Sequence, residues 1–218
     1  LKIAIDGPAG AGKSTVARRV ARELGILYID TGAMYRALTW KALQLKINLS
    51  APEELHQLAA DTVIDIRDHG DGTRIYCDGR EVTTEIRSPE VSRMVSVLAA
   101  DDKVREVMVE KQRAIASRND VVMDGRDITH CVLPDAEYKF YLTASLDVRT
   151  RRRGQELENQ GYEVDLEQLK REIMERDQLD MSRKVGPLKI TPDAVVIDTS
   201  DIDCESAVQY VLDIVREG

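Results

Sequence analysis

Residues 7–15 read GPAGAGKST, with Gly7, Gly12, Lys13 and Ser14 at the spacing G-x-x-x-x-G-K-[ST]. Each residue type has a chemical reason to be there. Glycines let successive backbone N–H groups curl around a phosphate, and the start of a following helix favours negative charge. Lys13 is a mobile cation for β- and γ-phosphates, and Ser14 offers a hydroxyl to magnesium. The apolar run KIAID (2–6) before the motif and the helical period of KSTVARRVARELG (13–25) after it supply the strand and helix that such a loop needs. Gly7, Pro8, Ala9, Gly10, Ala11, Gly12, Lys13, Ser14 and Thr15 are therefore expected to bind ATP or GTP.

Two further stretches carry chemistry. In MDGRD (123–127), Asp124 ends an apolar strand, where a carboxylate supporting magnesium would sit, so Ser14 and Asp124 form the candidate metal pair. Arg126 and Asp127 follow it, at the strand edge where open α/β sheets bind ligands. Taken alone, such a pair is more often a loop salt bridge, and the phosphate loop beside it reverses that balance. The other stretch is ERDQLDMSRK (175–184). Leu166, Leu169 and Ile173 mark the buried stripe of a helix, and the next positions on the same steps are Arg176, Asp180 and Arg183. Either that helix leaves the protein body there, or those charges face something polar. Arg36, Arg105 and Arg151 to Arg153 complete a set of arginines able to gather around phosphoryl groups.

Composition bounds the rest. The chain has 218 residues, 43% of them hydrophobic and 32% charged, and a formal charge of −8. These suit one well-packed globular domain and count against a nucleic-acid binder, which usually carries a basic face. There is no apolar run long enough to span a membrane and no leader-like segment, and Cys77, Cys131 and Cys204 share no metal-ligand spacing. A cytoplasmic protein with reduced thiols is expected, and nothing demands a partner subunit, so a monomer is expected too. The chain starts at Leu1 without an initiator Met, which suggests that a few residues precede it.

Short apolar runs at 2–6, 26–30, 120–124, 138–142 and 194–198 alternate with helical segments, such as that from Met34 to Leu45. This pattern predicts an α/β fold with a parallel sheet flanked by helices. Between 62 and 87, TVIDIRD, TRIYCD and REVTTEIR alternate apolar and polar residues around HGDG and DG turns, which predicts a small antiparallel β insert. Ser88 is placed to cap the next helix, with Pro89 in its first turn. The charge run RTRRRGQELENQG (149–161) reads as a mobile excursion between two helices.

Behind GPAGAGKST, the ordered motifs DTGAMYR (30–36), VTTEIRSPEVS (82–92), KQRAIA (111–116), DGRD (124–127) and ERDQLDMSR (175–183) resemble the bacterial cytidylate kinases, over essentially the whole chain. The resemblance implies a P-loop kinase fold with a helical lid and ATP-dependent phosphorylation of CMP and dCMP with magnesium. It places Thr31, Tyr35, Arg36 and Arg126 around the acceptor's phosphate and sugar. Ser96, Arg105 and Asp127 fall at the cytosine-reading positions, Arg176 and Asp180 toward the ribose, and Arg183 toward base or phosphate. A carboxylate at Asp127 can accept from the cytosine amine, while uracil would set an oxygen against it.

On this reading Lys13, Arg126, Arg153 and Arg176 are the catalytic charges. Residues 1–30, 92–148 and 184–218 form the core of a single kinase unit (1–218). Residues 31–91 form the monophosphate-binding region, and 149–183 form the lid with its flanking helices. The chain departs from the family after MDGRDI, where Thr129-His130 replaces the usual Gly-Thr and predicts a stiffer loop. Two rival readings remain. One is a P-loop kinase for another monophosphate or for a hydroxylated metabolite; the other is a non-catalytic nucleotide switch, against which the missing guanine-reading Asn-Lys-x-Asp motif counts.

Overall fold

A computed structural model describes residues 1–69 and 73–218. Its parallel sheet contains β1 (Lys2–Asp6), β2 (Leu27–Asp30), β6 (Val121–Gly125), β7 (Tyr138–Thr143) and β8 (Val195–Asp198), in the order β2-β6-β1-β7-β8. A separate antiparallel sheet holds β3 (Ile64–Asp68), β4 (Thr73–Cys77) and β5 (Arg80–Glu81). Helices follow the apolar periodicity: α1 (Lys13–Leu24), α2 (Thr31–Gln44), α3 (Pro52–Asp61), α4 (Pro89–Leu98), α5 (Asp102–Ala116), α6 (Leu146–Asn159), α7 (Leu166–Ser182) and α8 (Cys204–Glu217). No helix among the described residues is long and apolar enough to cross a membrane.

The chain forms two compact units, Leu1–Tyr28 with Asp120–Gly218, and Ile29–Asn119. In the first, β1 reads apolar on both faces because both are covered. Ile3, Ile5, Val16, Val20, Phe140, Leu142, Val208 and Val211 form one buried cluster. Each such side chain contributes about 1.5–3 kcal/mol by leaving water. The parallel pairing sets Asp6 opposite Gly125 and brings the carboxyl ends of β1 and β6 side by side. In the second unit, α2 packs on α4, and α3 on α5, around Met34, Leu38, Leu98 and Met108. The small sheet is tied in by Lys41, whose ammonium donates to Thr62 (3.0 Å) and pairs with Asp78 (2.6 Å).

Local chemistry explains the boundaries. Asp30 caps α2 by accepting from Ala33 N at 2.7 Å, which starts the helix at Thr31, before Met34. Ser88 caps α4 through Val91 N, with Pro89 at its first position, as the sequence predicts. Asp78 and Gly79 both have positive φ (49° and 82°), the two-residue turn that suits the twist of the β4–β5 hairpin.

Three expectations are corrected. REVTTEIR supplies only the two-residue strand β5 and then a short 3₁₀ turn, Glu85–Arg87, because Ile86 turns into the core. The charge run at 149–161 is an ordered helix for most of its length, since α6 continues to Asn159 and two of its arginines are anchored (below). Helices α4 and α5 belong to the second compact unit. Leu166, read as the start of a buried stripe, is 49% exposed at the first turn of α7. Most of the expected HGDG turn, residues 70–72, lies outside the described residues.

Gly154 lies inside α6, where glycine costs about 1 kcal/mol relative to alanine. An added methyl there would meet Leu166 Cδ2 at 2.7 Å, with Val164 and Leu169 at ordinary contact distances. Because Leu166 is half exposed and free to turn, the propensity gain outweighs the clash. Gly154→Ala is expected to raise the melting temperature by about 2–4 °C; a lower melting temperature in a thermal scan would contradict this account of the α6–α7 contact.

Candidate active site

The loop after β1 is shaped by its glycines at two points. Gly7 has φ +147°, and a Cβ there would lie 1.9 Å from the Leu142 carbonyl oxygen, so no side chain fits. Gly12, at φ 86°, is the left-handed N-cap from which α1 begins. Carbonyls of the loop are engaged from behind. Pro8 O accepts from Lys13 Nζ (2.8 Å), Ala9 O from Arg149 (3.3 Å) and Ala11 O from the Thr199 hydroxyl (3.1 Å). With its carbonyls held in this way, the loop can present its N–H side to an anion. Thr15, the last residue of the motif, is exposed on the first turn of α1.

Ser14 and Asp124 come together as expected. Ser14 Oγ donates to Asp124 Oδ2 at 3.0 Å, while the Tyr28 hydroxyl holds Oδ1 at 2.8 Å. One hydroxyl beside one buried carboxylate is a fitting pair of hard oxygen donors for magnesium, which takes most of its remaining ligands from water and phosphate. No group of three or more acidic, His or Cys residues suited to a metal occurs among the described residues.

The charged end of α7 is drawn inward. Asp180 is 1% exposed; it accepts from Arg126 Nε at 2.8 Å on one oxygen and pairs with Arg183 on the other. Burial opposes its charge, but Arg126, Arg183 and Arg176 outweigh that and hold its carboxyl below the usual range. Arg126 is likewise disfavoured by burial and yet held above its ordinary value, mainly by Asp180 and Asp124. Lys13 shows the opposite balance. Burial, then the positive charges of Arg126 and Arg176, pull its ammonium down to about 7 despite Asp124 and Asp6. Lys13, Asp124, Arg126, Arg176, Asp180 and Arg183 thus belong to one electrostatic cluster.

Of the other predicted residues, Thr31, Tyr35, Arg36, Ser96 and Arg105 lie in the second unit, and Asp127 and Arg153 in the first. Thr31 and Ser96 are buried, and Arg36 pairs with Asp30 at 3.1 Å. Arg105, only 1% exposed, donates to Ala99 O at 3.1 Å and stands 5.5 Å from the centre of the Tyr35 ring. Asp127 is buried at the start of a wide turn, Ile128–Val132, where Val132 N and Cys131 N both reach back to its carbonyl. Arg153 pairs with Glu156 on its own helix.

Sequence reasoning missed several supports. Arg149 on α6 pairs with Asp177 of α7 at 2.6 Å as well as holding Ala9 O, and Arg152 grips Thr199 through both its hydroxyl (2.9 Å) and carbonyl (2.6 Å). Asp6 is fully buried and accepts from Ile128 N (2.9 Å), Thr129 N (2.8 Å) and Thr129 Oγ1 (2.7 Å). Burial pushes its carboxyl up to about 6 against those hydrogen bonds, with Asp127 adding a smaller push. The signal for Asp6 was present, because KIAID ends in an aspartate just as VVMD does.

Comparison with known proteins identifies the family. The family described as cytidylate kinase matches residues 3–217. A cytidylate kinase of Caldanaerobacter subterraneus is 51% identical over all of this chain and 96% of its own length. One from Desulforamulus reducens is 53% identical over 99% of this chain and 97% of its own. Among solved structures, a shikimate kinase from Bacteroides thetaiotaomicron shares the fold with a TM-score of 0.51 at 14% identity, covering 99% of this chain and 98% of that one. With a phosphate loop, a buried cluster of cations and full-length likeness of this order, the chain belongs to the cytidylate kinase family.

Proposed function

We propose a division of labour for the phosphorylation of CMP and dCMP by ATP, the activity that family membership gives this chain. The observation that carries it is the cluster in which Arg126 and Arg176 reach Lys13 electrostatically while Asp180 holds Arg126 and Arg183 in place. The loop from Gly7 to Thr15 takes the ATP phosphates, with Lys13 at the β- and γ-groups. Ser14 and Asp124 would hold magnesium, which when bound neutralises charge between those phosphates.

The acceptor needs no strong general base, because a phosphomonoester with a second pKa near 6 is already largely dianionic at neutral pH. Catalysis is positioning and charge neutralisation, supplied by Lys13, Arg126 and Arg176. Thr31, Tyr35 and Arg36 serve the acceptor's phosphate and sugar, and Arg176 and Asp180 its ribose hydroxyls. Ser96, Arg105 and Asp127 read cytosine, and Arg183 serves base or phosphate. For the lid, 149–183, Arg149 and Arg152 act as anchors because their donors are engaged. Arg153 is the arm: its pair with exposed Glu156 is of a kind worth about 1 kcal/mol or less, and a phosphate can displace it. The protein works as a monomer on this reading.

An ADP-release assay offering CMP, dCMP, UMP, AMP, GMP and shikimate in turn should show turnover mainly with CMP and dCMP. Turnover confined to another acceptor would overturn the reading. In the same assay, Asp127→Ala should erode the preference for CMP over UMP by about tenfold or more, with KM for ATP nearly unchanged. Equal losses for both monophosphates would remove Asp127 from the base.

Lys13 gives a pH signature. Its ammonium, pulled down to about 7 in the free protein, is mostly neutral at about pH 8, and the arriving phosphates favour the protonated form. Binding of ATP at that pH should therefore take up to roughly one proton from the buffer, and progressively less as the pH falls through 7. Calorimetry in two buffers of different ionisation enthalpy reads this directly. Identical heats in both, or the same buffer dependence in Lys13→Met, would refute it.

A further inference from the structure

The strand end that precedes the phosphate loop carries a carboxylate that the reaction does not use. Asp6 is 0% exposed, and it accepts three hydrogen bonds from one turn, at Ile128 and Thr129. Every other residue of β1 after Lys2 is apolar. A buried carboxylate is expensive to desolvate, and an apolar side chain filling the same space would commonly be no less stable. Packing alone therefore gives no reason for an acid here. What it supplies is geometry.

The segment that it controls is short. Gly125 is fixed by the β1–β6 ladder, opposite Asp6 itself. Ile128 and Thr129 are fixed by the Asp6 side chain. Between these two points lie only Arg126 and Asp127, so one residue pins both ends of the pair through its place in the ladder and its carboxylate. Asp127 has φ −140° and ψ 21°, so the chain leaves the strand there and turns toward Ile128. Thr129 doubles the grip at one carboxylate oxygen, where its N–H and hydroxyl converge.

We propose that Asp6, acting through Ile128 and Thr129, is the positioning residue that sets the aim of Arg126 and Asp127. Because Asp6 is bonded directly to Gly7, the same residue gives the donor loop and the acceptor-facing pair a common anchor. The proposal rests on the acceptor roles given above to Arg126 and Asp127, and the test separates the two.

The full chain is assayed as Thr129→Val, Thr129→Ser, Asp6→Asn and Asp127→Ala, with KM for CMP, KM for ATP, the CMP-to-UMP preference and melting temperature measured for each. Thr129→Val removes one hydrogen bond at nearly constant volume. It should raise KM for CMP about three- to tenfold and lower the CMP-to-UMP preference, with KM for ATP within about twofold. Thr129→Ser should restore both. Asp6→Asn sets an amide N–H₂ against backbone donors and should cost more than Thr129→Val on the CMP side; if it fails to fold, the Thr129 pair decides alone. A Thr129→Val protein that melts lower but keeps its KM for CMP and its base preference would overturn the positioning role. So would equal changes for ATP and CMP. If Asp127→Ala leaves the base preference intact, the acceptor reading has failed instead.

Discussion

Holding buried positive charge in place before any phosphate arrives is the constraint on which the first unit turns. Lys13 is pulled down toward neutrality by burial and by Arg126 and Arg176, even though Asp124 and Asp6 pull the other way. Such an arrangement disfavours the Lys13 charge in the protein alone, through burial first and repulsion from the arginines second, and favours it as soon as an anion enters. Asp180 keeps that repulsion from scattering the arginines, by holding Arg126 on one oxygen and Arg183 on the other. Removing it would leave charges without the partner that aims them, which is costlier than never having buried them.

The parallel sheet is what makes the arrangement possible. β1 and β6 run side by side, so their carboxyl ends deliver Asp6, Asp124 and the phosphate loop to one edge. The three loop carbonyls are then engaged by three different elements, α1 through Lys13, α6 through Arg149 and the segment after β8 through Thr199. Arg149 reaches Asp177 of α7 in the same gesture. A charge run that reads in sequence as a mobile excursion is thus tied to the backbone of the phosphate loop.

This difference marks where the sequence was readable. Strands such as KIAID and DVVMD were legible because burial on both faces leaves an unbroken apolar run, and the phosphate loop because glycine spacing has few other uses. The inward turn of Arg176, Asp180 and Arg183 was legible as a break in a helical stripe, although its cause was not. Arg149, Asp177 and Asp6 were not read as functional. A charged residue that ends up buried looks in sequence like any solvated one, and its partners lie up to 140 positions away. The charge run at 149–161 misled for the same reason: arginine density suggested mobility, whereas two of those arginines are anchors.

The likeness to a shikimate kinase at 14% identity is one of fold alone. What the two chains share is the sheet and its helices, so acceptor choice has to reside in details that the fold leaves open. On the proposed reading those details are side chains that are buried without being apolar, namely Ser96, Arg105 and Asp127. Each is a group that water would solvate well, and burying it is tolerable only where a neighbour or a ligand completes its hydrogen bonding. A ligand with the wrong pattern leaves those groups unpaired, which discriminates far more sharply than a misfit of shape. The same reasoning explains why Asp6 is an acid and not another isoleucine: a pair of residues meant to read a partner by polar contacts must itself be held by polar contacts, because apolar packing fixes volume better than direction.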